Sequence, residues 1–414
     1  LFVVDGSRLY DLDQDTAAHV EAAMAAGESH WIEDLGLLRE DRSIGALPPD
    51  PPPVHSISLN LAQVCNLSCG YCYADEGRFS GDARLMSVEV ARETVNFLLD
   101  SSRPGTPVVL GFMGGEPLLN KPALHQATHY AWDLASSRGH EISFSITTNG
   151  TLIGPAEAKL FHEFPFSVQI SLDGAQAAND ESRPMKDGTS SYRRILQGLE
   201  LVNSIGRPRQ FTARASITRQ SGRLGDILDH LLSLGFDDAG FAPVVVSPEP
   251  ALRLTEADFT KYLAEMIECG EKAMCFLTEG RPYPFSNLMT AIEEIHKGTC
   301  RPYPCGAGAA YLSASAEGDL FACHRTIDNG SFRMGAIDGL DHQARARLLR
   351  NSHVDQIEPC RTCWARYLCG GGCYHEVALR GRPGCDFIRG WLDFCLKAYI
   401  QLCDSAGSAR LLGR

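Results

Sequence analysis

Between Cys65 and Cys72 the chain reads Cys-Asn-Leu-Ser-Cys-Gly-Tyr-Cys, and no other stretch limits so sharply what can be built around it. Three thiolates at this spacing can ligate three irons of a cubane 4Fe-4S cluster, whose usual complement is four cysteines. One iron is then open to a small molecule, so the loop reads as a reaction centre rather than a relay for electrons. A zinc knuckle or buried structural thiols are the competing readings of so short a motif.

Around this loop strands and helices alternate. Residues 55–61 carry apolar side chains at Ile57, Leu59 and Leu61 and deliver the loop at their C-terminal end. Further strands are expected at 108–113, 142–147, 167–172, 211–217 and 240–246, with helices at 87–100, 122–135, 155–161, 191–205 and 224–234 between them. Strands separated by helices in this way predict a parallel sheet with right-handed crossovers. Ligands of such sheets lie at the C-terminal strand ends. Met113-Gly114-Gly115-Glu116-Pro117, Thr148-Asn149-Gly150 and Ser171-Leu172-Asp173-Gly174 fall there, and Arg214 lies on the fifth strand. Their bland readings are turns, helix caps and a solvated arginine.

A second cysteine field begins at Cys300, with Cys305 and Cys323, then Cys360-x2-Cys363-x5-Cys369-x3-Cys373, then Cys385. Gly318, five residues before Cys323, marks a hairpin turn. Zinc is the chief alternative for this field. Cys269, Cys275, Cys395 and Cys403 are read as packing residues on helices. His375-Glu376 lacks a second histidine, since position 379 is Leu, so a zinc protease is set aside.

The triplet with Gly-Gly-Glu-Pro one strand later resembles the radical S-adenosylmethionine (SAM) enzymes, and the later cysteine order resembles their SPASM extension. The resemblance implies an α/β fold: a partial (β/α)6 radical SAM barrel with a C-terminal iron-sulfur extension and a small N-terminal α+β module. It implies three 4Fe-4S clusters. Cys65, Cys69 and Cys72 would hold the SAM-binding one. Cys300, Cys305, Cys323 and Cys373 would hold an inner auxiliary cluster, and Cys360, Cys363, Cys369 and Cys385 an outer one. Gly114, Gly115, Glu116 and Pro117 would bind the methionyl amine of SAM, Tyr71 would lie beside cluster and adenine, Ser171 and Asp173 near carboxylate and ribose, and Arg214 would pair with the carboxylate.

SPASM-bearing relatives mainly modify ribosomally made polypeptides, and an external donor such as flavodoxin or ferredoxin is implied. The wording Cys72-Tyr73-Ala74-Asp75-Glu76-Gly77 and Cys369-Gly-Gly-Gly-Cys373-Tyr374-His375-Glu376 is most similar to the branch that matures the small subunit of quinohemoprotein amine dehydrogenase. That branch forms thioethers between Cys sulfur and a side-chain carbon of Asp or Glu. The substrate thiol must lose a proton, and the sequence names no base for it: His324, Asp319 and His375 are candidates, each with a structural role as the competing reading. Carbon-carbon crosslinking or formylglycine formation is the alternative in the same class. A multi-cluster electron-transfer or scaffold protein is the alternative from another.

Composition narrows the setting. A formal net charge of -13 opposes attraction to phosphate backbones, so nucleic acid is not expected as partner. No apolar run reaches membrane-spanning length and no signal peptide is read, so a cytoplasmic chain is expected. Fifteen cysteines in 414 residues then point to metal or cluster ligation in a reducing compartment. The expected divisions are a small peptide-recognition-like module at 1–46 with a helix capped by Asp15 or Thr16, a Pro-rich linker at 47–54, the barrel at 55–250, a helical bridge at 251–299 and the auxiliary-cluster region at 300–414.

Overall fold

The computed structural model of the protein describes residues 1–4, 6–28, 31, 35, 50–79 and 81–404. Residues 47–49 of the expected linker, and most of 29–46, lie outside these. A hairpin of β1 (Phe2–Val3) and β2 (Arg8–Leu9) opens the chain and leads to α1 (Gln14–Ala25). The helix cap is Asp13, whose carboxylate accepts the Thr16 amide at 2.8 Å; Asp15 and Thr16 lie inside the first turn. The acidic side chain three residues ahead of Thr16 wins because only there is the backbone still extended.

The six expected strands are β3 (Ser56–Ala62), β4 (Val108–Gly114), β5 (Ile142–Thr148), β6 (Phe166–Ser171), β7 (Gln210–Ile217) and β8 (Asp238–Pro243), paired in chain order and all parallel. Between them run α2 (Val88–Ser101), α3 (Lys121–Arg138), α4 (Pro155–Glu163), α5 (Gln176–Ser182), α6 (Ser191–Ile205) and α7 (Leu224–Ser233). Ile142, Phe144 and Ile146 on β5, Phe166, Val168 and Ile170 on β6, and Phe211, Ala213 and Ala215 on β7 belong to one core with Leu124, Phe161, Ile195 and Leu228 of the helices. The alternate residues, Ser143, Ser145, Thr147, Ser167, Gln169, Ser171, Thr212, Arg214 and Ser216, are only half-buried. Parallel strands covered on both faces read as continuous apolar runs. Here the second face is polar and half-buried, and Arg214 on it lines a cavity; this inner face is termed the lumen.

Two helices, α8 (Glu256–Thr278) and α9 (Ser286–His296), follow β8. Helix α9 closes that edge of the sheet with side chains: Asn287 Oδ1 accepts the Phe241 amide at 2.8 Å, and Ser286 donates to the Ala239 carbonyl at 3.1 Å. An edge strand whose backbone groups are satisfied this way is poorly disposed to recruit another chain.

The C-terminal region adds β9 (Tyr311–Ala314), β10 (Asp319–Phe321), β11 (Arg333–Ala336) and β12 (Gly339–Leu340), then α10 (His342–Ser352), α11 (Arg366–Cys369), α12 (Tyr374–Arg380) and α13 (Cys385–Asp404). The hairpin expected at Gly318 joins β9 to β10. Strand β9 runs parallel to β3, with Ser56 opposite Tyr311 and Leu59 opposite Ala314, so barrel and C-terminal strands form one ten-stranded sheet. Pattern alone did not reveal this junction. Helix α13 lies back on α8, with Phe259 and Phe387 rings 5.5 Å apart. Cys269 and Cys395 are core residues as expected, whereas Cys275 and Cys403 are exposed, on the outer faces of α8 and α13. The N-terminal hairpin rests on the same C-terminal region: the Phe2 ring meets Trp364 edge-on at 6.2 Å.

Candidate active site

The cysteine loop leaves the C-terminal end of β3 and turns tightly, the Cys72 amide donating to the Cys69 carbonyl at 3.0 Å. It lies directly on the Gly-Gly-Glu-Pro segment. A Cβ on Gly115 would stand 2.5 Å from the Val64 carbonyl oxygen, and one on Gly114 equally close to that of Ala62. Both clashes are with backbone, so the glycines are required by contact between motif and loop. Pro117 opens a short turn over 117–120, and at its far end the Asn120 amide donates to the carbonyls of Leu61 and Met86 at 2.9 and 2.8 Å.

Glu116 is fully buried and completes this tie. Its carboxylate accepts the Thr148 hydroxyl at 2.6 Å, the Asn149 amide at 2.7 Å and the Leu118 amide at 3.0 Å, binding the ends of β4 and β5 together. Burial pushes its pKa up, opposed by those three donors. Asn149 in turn points its side-chain amide at Cys65 Sγ, 3.8 Å away, and at Asn66 Oδ1 at 2.9 Å. The Thr148-Asn149 strand end is thus part of the site through its hydrogen bonds.

Tyr71 is buried, and its hydroxyl donates to Asp173 while accepting from Arg183. Asp173 also accepts the Ser182 hydroxyl at 3.0 Å and the Ser216 amide at 2.9 Å. Arg183 stands 3.6 Å from Asp173, with its guanidinium 5.8 Å from the Tyr71 ring centre. Its Nε is buried and finds no hydrogen-bond partner among the described residues. Sequence reading named Tyr71 and Asp173 but passed over Arg183. The signal available was Arg183-Pro184 closing a short acidic helix after the fourth barrel strand. Asn60, on the lumen side of β3 beneath Gly114, likewise leaves both side-chain amide atoms unpartnered among the described residues.

The C-terminal cysteines separate into two groups. Cys305, Cys323 and Cys373 lie within electrostatic reach of one another, as do Cys360, Cys363, Cys369 and Cys385. Cys300 is placed against Val354, Cys360 and Tyr367. Between Cys369 and Cys373 three successive glycines have φ of 75°, 93° and 89°, and a Cβ on Gly370 would meet the Tyr303 carbonyl oxygen at 2.3 Å. Only glycine accepts such a run, and it carries the chain from one cysteine group to the other.

The donor set suits anionic sulfur. Backbone amides two residues on point at Cys65, Cys305, Cys323 and Cys369, the first as Leu67 N to Cys65 Sγ at 3.4 Å. Side chains of Arg382 and Arg389 donate to Cys360 and Cys363. Burial pushes the Cys65 thiol up to about 12 and the Cys69 thiol to about 11, so a bound cation is what would ionise them. Buried thiols in rows of N–H donors fit iron-sulfur ligation, where hydrogen bonds to sulfur are the rule.

Tyr73 joins the two fields. Its ring lies 5.6 Å from that of His375 and 4.9 Å from the Arg325 guanidinium, and Arg325 pairs with Glu376 at 2.6 Å. Of the candidate bases, Asp319 is tied to Arg333 on the neighbouring strand. His324 faces the lumen with Nδ1 3.2 Å from the Tyr311 hydroxyl, and burial holds its pKa down to about 3. A cavity of about 690 Å³ runs from the lumen into this region, lined by Arg214, Tyr311, His324, Arg325 and the cysteines of both C-terminal groups. Arg214 lies opposite Ser171 on the lumen face, away from the cation position at Tyr71, which Arg183 fills.

A lumen-bearing parallel barrel with a cysteine triplet on its first strand end defines the class. The family description "Radical SAM superfamily" matches residues 59–218. A serine-type anaerobic sulfatase-maturating enzyme of Bacteroides thetaiotaomicron is 30% identical over 383 residues, covering 82% of this chain and 88% of the relative. The enzyme of the same description from Klebsiella aerogenes is 29% identical over 365 residues, covering 82% and 84%. Among solved structures, anSMEcpe with bound AdoMet and a Cp18Cys peptide superposes with a TM-score of 0.68 at 20% identity, over 85% of this chain and 99% of that one. The chain belongs to the radical SAM superfamily and is a radical SAM enzyme that binds SAM. Among the described residues no helix is long and apolar enough to cross a membrane.

Proposed function

We propose that this enzyme modifies a polypeptide, forming thioether bonds between Cys sulfur and a side-chain carbon of Asp or Glu. The observation that supports a polypeptide substrate is the second cysteine field set against the first, Tyr73 of the N-terminal loop meeting His375 and Arg325, an arrangement that resembles the SPASM-bearing enzymes that modify polypeptides. The 690 Å³ cavity, lined by the cysteines of both C-terminal groups, is the room their clusters would take. The named relatives act on sulfatases and the solved neighbour holds a peptide, which supports the same substrate class. The choice of thioether rests on the resemblance in the segments around Cys72 and Cys369. The relatives' names favour a second reading, formylglycine formation.

SAM bound at a reduced cluster supplies a 5'-deoxyadenosyl radical, which takes a hydrogen atom from unactivated carbon. Cys65, Cys69 and Cys72 would hold that cluster. Arg183 would be the counter-ion for the carboxylate of SAM, its guanidinium fixed by Tyr71 and Asp173, and the backbone of Gly114 to Glu116 would receive the amine. Cys305, Cys323 and Cys373, with Cys300 carried over by resemblance, would hold the inner auxiliary cluster and the other four cysteines the outer one. His324, which lines the cavity, and His375, against the Tyr73 ring, would be the candidate acceptors of the substrate thiol's proton. Each thioether replaces one S–H and one C–H by a C–S bond: the hydrogen atom on carbon would go to the 5'-deoxyadenosyl radical, the thiol proton to a base and the one remaining electron to the inner auxiliary cluster, so the polypeptide loses two hydrogens.

The test is anaerobic incubation of the cluster-loaded enzyme with SAM, a reductant and small polypeptides encoded beside it. A loss of two hydrogens per bond with a Cys that resists alkylation supports the thioether. A hydrazide-reactive aldehyde with the remaining thiols alkylatable supports formylglycine and refutes it.

A further inference from the structure

Arg214 projects from the lumen face of β7, between Thr212 and Ser216, whose amide is bonded to Asp173. Two residues along a strand span about 6.6 Å, so its Cα sits about one such step deeper in the lumen than the Tyr71, Asp173 and Arg183 cluster. Among the described residues its guanidinium makes no hydrogen bond or ion pair. Arginine cannot shed its proton to escape burial, and an enclosed charge without a partner is costly.

No nearby carboxylate among the described residues contacts Arg214. Glu376 pairs with Arg325 and Glu294 with Arg301 at 2.6 Å, while Asp238, which accepts from Gln210 at 3.3 Å, acts on Arg214 only at a distance. The cysteines are matched elsewhere too: Arg325, Arg382 and Arg389, and not Arg214, are the cations that weigh most on Cys305, Cys360 and Cys385. The Tyr262 hydroxyl, buried and without a hydrogen-bond partner among the described residues, lies within electrostatic reach of Arg214. Arg214 borders the cavity lined by the C-terminal cysteines and also a second one, of about 280 Å³, lined by Ser286, Asn287 and Thr290 and by no cysteine.

We infer that Arg214 is the anchor for a carboxylate of the substrate, an Asp or Glu side chain held in the lumen below the SAM site. This deepens the polypeptide reading above and rests on it. A carboxylate fits the planar, bidentate donor fork of an arginine. Anchoring it would hold the carbons of that side chain in the lumen, on the way to where the radical is released. A chain-terminal carboxylate has the same chemistry, so the test must block it.

The probes are C-terminally amidated synthetic peptides carrying Cys and, at varied spacing, Asp or Glu, each with a twin carrying Asn or Gln. Binding to the full-length, cluster-loaded enzyme with SAM present is read by fluorescence anisotropy, and turnover by mass. Charge-assisted hydrogen bonds predict that wild type binds the best acidic peptide about 10- to 100-fold tighter than its twin. That ratio should fall to about one in Arg214→Met and be largely kept in Arg214→Lys. A ratio unchanged in Arg214→Met overturns the inference, as does loss of SAM affinity in that variant, which would return Arg214 to the nucleotide. Discrimination by free acid ends but not by side chains would also overturn it. If no peptide or neighbouring polypeptide is bound or altered at all, the polypeptide reading itself fails, and this inference with it.

Discussion

Replacing Arg183 by Met tests two consequences of one buried cation. Arg183 and Asp173 have side chains 9% and 4% exposed and stand 3.6 Å apart, with the Tyr71 hydroxyl bridging them. Removing one member of such a pair leaves the other charge enclosed and costs about 3–5 kcal/mol. Asp173 keeps the Ser182 hydroxyl and the Ser216 amide, which places the expected loss near 3 kcal/mol. The second consequence concerns the ligand. A charge-assisted contact to the carboxylate of SAM contributes about 1.5–3 kcal/mol, so affinity should fall about 10- to 100-fold. Anaerobic urea unfolding measures the first quantity and equilibrium dialysis with labelled SAM the second, on protein of verified iron content. Arg183→Lys keeps the charge without the fork and should recover part of the affinity. If Arg183→Met binds SAM as tightly as wild type while losing stability, Arg183 is only a brace for Tyr71, and the assignment of the carboxylate to it is wrong.

Other substitutions probe the frame around the loop. Gly115→Ala sets a methyl group 2.5 Å from the Val64 carbonyl oxygen, so the loop must move; a stability loss of about 1–3 kcal/mol is expected. On the proposal that the C-terminal cysteines hold two further cubanes, iron in that variant should drop from about twelve to about eight atoms per chain, because only the cluster at Cys65, Cys69 and Cys72 would be disturbed. Glu157 is buried, which alone would raise its pKa, but hydrogen bonds from His125 and from Lys121 at 2.7 Å carry it down to about 2. Its folded pKa is below its unfolded one, so its contribution is complete above about pH 4.5 and lost as pH falls toward 2. Glu157→Gln should therefore be less stable by about 3 kcal/mol at neutral pH, and the two unfolding curves should converge in acid.

Much of the barrel was legible because its strands alternate. Ile142-Ser-Phe-Ser-Ile-Thr-Thr148 and Phe211-Thr-Ala-Arg-Ala-Ser-Ile217 declare one apolar and one polar face, and spacing fixes the helices between. The cysteine order was equally readable, since ligand spacing is local. What stayed hidden depends on contacts between distant segments. Strand β9 joins β3 across some 250 residues of sequence, a pairing that no local pattern encodes. Arg183 was passed over for the same reason: it is a single cation after a short helix, and only the fold shows that it meets Tyr71. The Gly-Gly-Glu-Pro segment was read as offering a carbonyl or a carboxylate to an ammonium, and only the fold shows that the Glu116 oxygens are engaged by Thr148, Asn149 and Leu118. The helix cap at Asp13 was misjudged by two or three residues because Asp13, Asp15 and Thr16 compete there.

The central claim is that the cluster held by Cys65, Cys69 and Cys72 keeps an iron open for SAM. Electron-nuclear double resonance of the reduced, anaerobically loaded protein with SAM labelled at its methionyl nitrogen and carboxylate oxygens addresses this directly. The account predicts coupling of both labels to that cluster, abolished by Cys65→Ala, Cys69→Ala or Cys72→Ala together with 5'-deoxyadenosine release. An intact, reduced cluster that shows no coupling to either label would contradict it.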